Sequence, residues 1–325
     1  MTDHVPDSPA AEARRKSPLR RAVSWLIVAV FVGFLVYAVA QRWNEVRDGI
    51  GQLSAPAVAL ATVTMFAGIY ASFLCWRAIL ADFGSSVPLA GGMRIFFVGQ
   101  AGKYLPGKLW PILTQARIGR DYDVPARASS AAAAIFMLMV LGTGLLIGAA
   151  GLPVLGAGAL GDYWWVLLAL PVAAVVLWPP VLNRLISTAL RVAKREQMPA
   201  PLTFAGVARA AGWSLVMWAL YGVHMWALLR DLGVGGGDLV LVATAVFAAS
   251  WSIGFLLLVA PAGAGPREVA MLALLGAAGI TGGAATVATL VSRLIMTIGD
   301  LGWMGIALVV ERMRRRSAKE EVAVP

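Results

Sequence analysis

The chain has 325 residues, of which 59% are hydrophobic and 14% charged, and its 27 Lys and Arg against 17 Asp and Glu give a net charge of +10. An average soluble domain carries about 45–50% apolar and about 25% charged residues, so this composition, with a mean hydropathy of +0.77, excludes a soluble enzyme. The basic residues fall in short clusters between apolar runs, which marks the cytoplasmic loops of a membrane protein rather than a nucleic-acid surface.

Residues 1–21 form a polar N-terminus ending in Arg14, Arg15, Lys16, Arg20 and Arg21. An apolar run follows at 22–40, and its 19 residues are long enough to cross a bilayer. Ala38, Val39 and Ala40 resemble a signal-peptidase site, but an uncleaved first span is the better reading. Further runs lie at 56–76, 128–150, 164–182, 212–229, 239–260 and 284–310. Two stretches near 89–113 and 266–279 are interrupted by Gly and Pro and carry charge. Trp43, Trp110, Trp164, Trp165, Trp178 and Trp213 lie near run ends, as an aromatic belt requires.

Lys and Arg concentrate at the N-terminus, in 77–127, in 183–211 and in the tail, whereas 151–163 has none and 230–238 only Arg230. The basic segments therefore face the cytoplasm, both termini included. That orientation forces 77–127 to enter and leave on the cytoplasmic side, and 239–283 on the outer side. The expected fold is an all-α integral membrane protein with about six full spans and two Gly/Pro-broken re-entrant helix pairs, about eight hydrophobic helices in all. Lys108 and Arg267 are 159 residues apart, and the same offset relates the spans beginning near Ala128 and Val287. This predicts an inverted repeat: 22–163 as the first membrane repeat and 164–311 as the second, with 312–325 a cytoplasmic tail. Matching broken helices in inverted repeats point to a transporter's binding site near the membrane midplane.

The breaks carry the chemistry. The first contains Tyr104, Pro106, Gly107 and Lys108; the second contains Gly263, Gly265, Pro266, Arg267 and Glu268. Pro at a first helical position leaves N–H groups free for an anion, and Arg267 adds a bidentate donor for phosphate. The last run holds Arg293 and Asp300, seven residues apart and on one helix face. Charges at such depth are costly, so they must be paired or line a polar cavity. Arg293 with Glu268 or Asp300 is the expected internal pair. Asp300 and His224 are candidates for coupling protons. Gly144 and Gly148 form a small-residue motif for close helix packing. A Gly-x-Gly-x-x-Gly match at 156–161 has no preceding strand and carries no nucleotide site. With His4, His224 and Cys75 as the full set of His and Cys, no metal or cofactor site is predicted.

The segment Tyr104-Leu105-Pro106-Gly107-Lys108-Leu109-Trp110, followed by Arg117, resembles the first motif of the lysylphosphatidylglycerol synthase transmembrane-region family. Residues 261–268, ending in Pro266-Arg267-Glu268, resemble its second motif, and Arg293-Leu294 resembles the pair that opens its last span. The resemblance implies flippase-like activity on phospholipids or other anionic lipid carriers, in a stand-alone member without the aminoacyl transferase domain. Lys108, Arg267, Glu268, Arg293, Tyr104 and Arg117 are its implied substrate-binding residues. The chain departs from the family pattern at Ala131–Phe136, where an acidic residue is expected, and at Gly299-Asp300, where an aromatic-Pro pair is usual. The expected substrate is an anionic lipid, either phospholipid or polyprenyl-phosphate-linked sugar, moved across the bacterial plasma membrane. Lipid-modifying or glycosyltransferase enzymes are the expected protein partners, and nucleic acid is not one. A scaffold in a cell-envelope complex is the alternative. A membrane glycosyltransferase is a weaker one, with Glu45 and Asp48 as its only candidate acids.

Overall fold

The computed structural model describes residues 47, 51–104, 109–155, 167–198, 200–257 and 265–322. Among these, regular structure is entirely helical. The expected span at 22–40 lies outside the described residues, as do Glu45, Asp48, Pro106, Gly107, Lys108 and Gly263. The described residues fall within one unit, 44–325.

Helix α1 runs Ala55–Asp82 and starts at Ser54, whose hydroxyl accepts from the Ala57 N–H. The chain then enters α2, Leu89–Met93, which continues into a π-helical turn, Arg94–Val98. Such wide turns are rare and concentrate where a helix is locally strained or functional. A 3₁₀ turn, Ala101–Tyr104, ends this arm, and α3, Trp110–Gly119, returns from it. Helix α4 spans Ala126–Ala150. The run expected at 164–182 is instead divided between α5, Ala169–Val176, and α6, Pro179–Val192, bent by 64° between them. Pro179 and Pro180 supply no N–H groups, and Trp178 before them takes an extended conformation with ψ 128°.

Helix α7, Phe204–Asp231, begins eight residues earlier than its apolar run predicts. Helix α8, Leu239–Leu256, and α9, Pro266–Ala277, flank the second break. Helix α10 extends from Gly282 to Val322, beyond the expected end of the last span. Among the described residues, five helices (α1, α4, α7, α8 and the Gly282–Arg314 part of α10) are long and apolar enough to cross a membrane, and a sixth crossing results if the bent α5–α6 pair is one span. By that measure α8 is itself long enough to cross, where the sequence pairs it with α9 as a re-entrant element.

Helices α1 and α7 each have 28 residues and pack antiparallel. Each ends in an aspartate that clasps the start of the other. The Ser54 N–H and hydroxyl donate to Asp231 at 2.6 and 2.9 Å. The Thr203 N–H and hydroxyl donate to Asp82 at 2.7 and 2.8 Å. Each clasp therefore adds a carboxylate to a helix N-terminus, where free N–H groups and the dipole favour it. At about 1.5 Å per residue the two clasps stand about 42 Å apart, beyond the ~30 Å hydrocarbon core.

Close approach elsewhere depends on small residues. A Cβ at Gly148 would lie 2.9 Å from that of Ala249, and one at Gly151 would lie 2.2 Å from that of Ala245, so α4 meets α8 through glycine. The Gly144/Gly148 motif is thus a contact within the chain. The indole of Trp303 on α10 lies between Phe97 of the π turn (5.1 Å, 13°) and Tyr70 of α1 (5.0 Å, 25°), and its Nε1 donates to the Phe66 carbonyl at 2.9 Å.

Candidate functional site

Helix α10 carries the meeting point. Arg293 and Asp300 flank the middle of its Gly282–Arg314 apolar stretch, seven residues or about 10 Å apart along the axis. The second break delivers Glu268, whose Oε1 lies 3.5 Å from Arg293 Nη1. The first break delivers Lys103, whose Nζ lies 2.6 Å from Asp300 Oδ2, and Tyr104, whose hydroxyl donates to the same oxygen at 2.7 Å. One helix thus takes an ion pair of opposite polarity from each break.

The local geometry of α9 explains how Glu268 is held. Gly265 has φ 99°, a conformation that side-chain-bearing residues rarely adopt. Pro266 occupies the first helical position, and Glu268 Oε2 accepts from the Gly265 N–H at 2.7 Å. The glutamate therefore caps its own helix with one oxygen and meets Arg293 with the other.

Arg267 is 4% exposed. Its guanidinium carbon lies 4.7 Å from the centre of the Phe247 ring on α8, and Nη1 lies 2.7 Å from the Met296 sulfur. Met296 sits between Arg293 and Asp300 on α10. Gly254 makes room for the arginine, since a Cβ there would lie 2.7 Å from that of Arg267. Among the described residues no carboxylate lies within ion-pair distance of Arg267. An aromatic face offsets part of the cost of a buried cation, but less than a paired anion does. Among the described residues, Lys103, Arg267 and Arg293 stand with Glu268 and Asp300, three positive charges with two negative.

The structure brings together Tyr104, Arg267, Glu268, Arg293 and Asp300 of the sequence-derived set, with Gly265 and Pro266 shaping the break. Arg117 stands apart, exposed in the last turn of α3. His224 is fully buried; Nδ1 lies 2.8 Å from the Ala61 carbonyl and Nε2 2.9 Å from the Ser292 hydroxyl. Both ring nitrogens are thus engaged, one of them by the serine directly before Arg293. Sequence reasoning missed Lys103 as a site residue. Its signal was its place beside Tyr104 in the glycine-rich break. Phe247 and Met296 gave no signal, because an apolar residue in an apolar helix is unremarkable until a cation is laid on it.

Apolar helices of spanning length, one of which carries Arg293 and Asp300 near its middle with counter-charges supplied from the two breaks, define a multi-pass helical membrane protein. Residues 22–302 match the family model described as Lysylphosphatidylglycerol synthase TM region, and the chain belongs to that family. No curated protein matches the chain.

Proposed function

We propose that the protein is a flippase-like transporter that moves an anionic lipid, a phospholipid or a polyprenyl-phosphate-linked sugar, across the bacterial plasma membrane. The observation that carries the proposal is Arg267: a buried cation that, among the described residues, has no carboxylate partner and belongs to a cluster with one excess positive charge. A singly charged phosphodiester would balance that excess. Arg293 and Lys103, both partly accessible, would meet the headgroup phosphate, with Arg267 beneath them and the N-terminus of α9 alongside. Lipid tails would remain in the bilayer. The reciprocal clasp of α1 and α7 supports an inverted repeat, the architecture in which a midplane site is exposed to either face in turn. The match to the family supports the lipid as substrate class.

The test is transport of labelled anionic lipid in vesicles containing the purified protein, with Arg267→Ala beside wild type, each checked for folding by thermal melting. Wild type should move the lipid and the variant should lose at least about tenfold in rate, which corresponds to ~1.4 kcal/mol. Equal rates for the two would remove Arg267 from the site, and no transport above empty vesicles would remove the flippase reading itself.

A further inference from the structure

We infer that Glu268 is a built-in competitor for the anion site: its carboxylate occupies the Arg293 guanidinium and must yield it to an arriving phosphodiester, so Glu268 sets how tightly the site holds anionic lipid. This rests on the reading of the cluster as an anionic-lipid site and adds its regulation.

Three observations carry it. First, Glu268 serves two partners with two oxygens. Oε2 takes the Gly265 N–H at 2.7 Å, a short and well-formed bond, whereas Oε1 lies 3.5 Å from Arg293, a looser contact. Losing the second partner leaves the first in place, so the side chain has no need to unfold its helix end to release the arginine. Second, Arg293 is the more accessible member of the pair, with 22% of its side chain exposed against 9% for the glutamate. An anion can therefore reach the exposed part of the Arg293 side chain, which the more buried carboxylate does not cover. Third, the residue directly before Glu268 is the buried Arg267, so a phosphate that replaces the carboxylate on Arg293 gains a second cation nearby. A ligand that must displace an internal partner has its apparent affinity reduced by the fraction of time the site is free. The tethered carboxylate thus costs affinity, and the same cost lets the lipid leave.

The alternative role for Glu268 is to bind a positive group on the headgroup. The two roles give opposite results on one substitution. Glu268→Gln keeps an oxygen for the Gly265 N–H and removes the charge that competes for Arg293. The experiment is calorimetric titration of the full-length protein in detergent with dioctanoyl phosphatidylglycerol, an anion without an amine, and with uncharged dioctanoylglycerol as control. Wild type, Glu268→Gln, Arg267→Ala and Asp121→Asn are compared. Asp121→Asn makes the same charge change at a carboxylate that is 50% exposed and paired with Arg94. Glu268→Gln should bind the anionic probe about five- to tenfold more tightly than wild type, while Asp121→Asn matches wild type and Arg267→Ala binds weakly. Unchanged or weaker binding by Glu268→Gln, with wild type still preferring the anionic probe, would overturn the competitor role and leave the site reading intact. No preference for the anionic probe in wild type would overturn the site reading. Should Glu268→Gln not fold, Glu268→Asp, one methylene shorter and farther from Arg293, must tighten binding in the same direction, and failure to do so would sink the inference.

Discussion

At the scale of single residues, the cluster mixes groups that hold the protein together with groups free to act. His224 belongs to the first kind. Its two ring nitrogens tie α7 to the Ala61 carbonyl on α1 and to Ser292 on α10. His224→Phe keeps the ring volume but leaves two buried polar partners unmet, at about 1–3 kcal/mol each before relaxation. We expect a clear fall in the thermal midpoint in detergent, with the preference for anionic over uncharged lipid retained. Loss of that preference in a variant of normal stability would make the histidine a ligand-binding group. Asp300 joins Lys103 and Tyr104 at one oxygen, so Asp300→Asn leaves a partly buried ammonium without its counter-charge. Solvent reaches the lysine, so the cost is put at about 1–3 kcal/mol rather than the ~3–5 of a fully buried pair. The exchanged pair Lys103→Asp with Asp300→Lys should recover part of that loss, and a double-mutant cycle on the melting curves reads the coupling.

At the scale of helices, the two clasps make α1 and α7 a matched pair. Asp82→Ala removes two hydrogen bonds and a favourable charge from the start of α7, and Asp231→Ala does the same for α1. Each should cost about 1–2 kcal/mol, and the two should add, because their sites are about 42 Å apart. Gly206 gives an independent probe. A Cβ there would lie 2.1 Å from the Asp82 carboxyl carbon, so Gly206→Ala should expel the aspartate and lose what Asp82→Ala loses, with little further effect when the two are combined. Additive losses would show that the clasp is not what Gly206 protects. At the contact of α4 with α8, Gly148→Leu should drive the helices apart and destabilise by about 1–3 kcal/mol or more, read as a lowered melting temperature.

At the scale of the whole molecule, what the sequence reveals and what it hides divide along a physical line. Apolar runs of spanning length are local, so α1, α4, α7, α8 and α10 are legible from hydropathy. The Pro and Gly breaks are equally local, and so are the charges beside them. Arg293 with Glu268 could be named as one of two pairings because so few carboxylates lie at that depth. The clasps could not be foreseen: Ser54 and Asp231 are 177 positions apart, and a Ser before one helix and an Asp ending another read as ordinary punctuation. The bend at Trp178 was announced by Pro179 and Pro180, yet the apolar run continued across them and concealed it. Tyr104 with Asp300, 196 positions apart, meets only because the first arm folds back against α10. The clasped pair also yields a prediction for the whole assembly. Disulfides joining Ser54→Cys to Asp231→Cys, and Asp82→Cys to Thr203→Cys, should leave lipid transport in vesicles unchanged. One joining Lys103→Cys to Asp300→Cys should stop it. Arrest by the first two would mean that α1 and α7 separate during the cycle.

The sandwiched indole of Trp303 decides which charges can travel. It sits one turn beyond Asp300, pressed between α1 and the π turn and bonded to the α1 backbone. That fastening makes the charged face of α10 part of the frame set by α1 and α7. Arg293 and Asp300 are then fixed terminals on a post, and under the proposed function Glu268, Lys103 and Tyr104 would be the contacts that open and close against them. In the proposed transport cycle, work would fall on the two arms that carry these contacts, and the cost of each opening would be the ion pair it breaks.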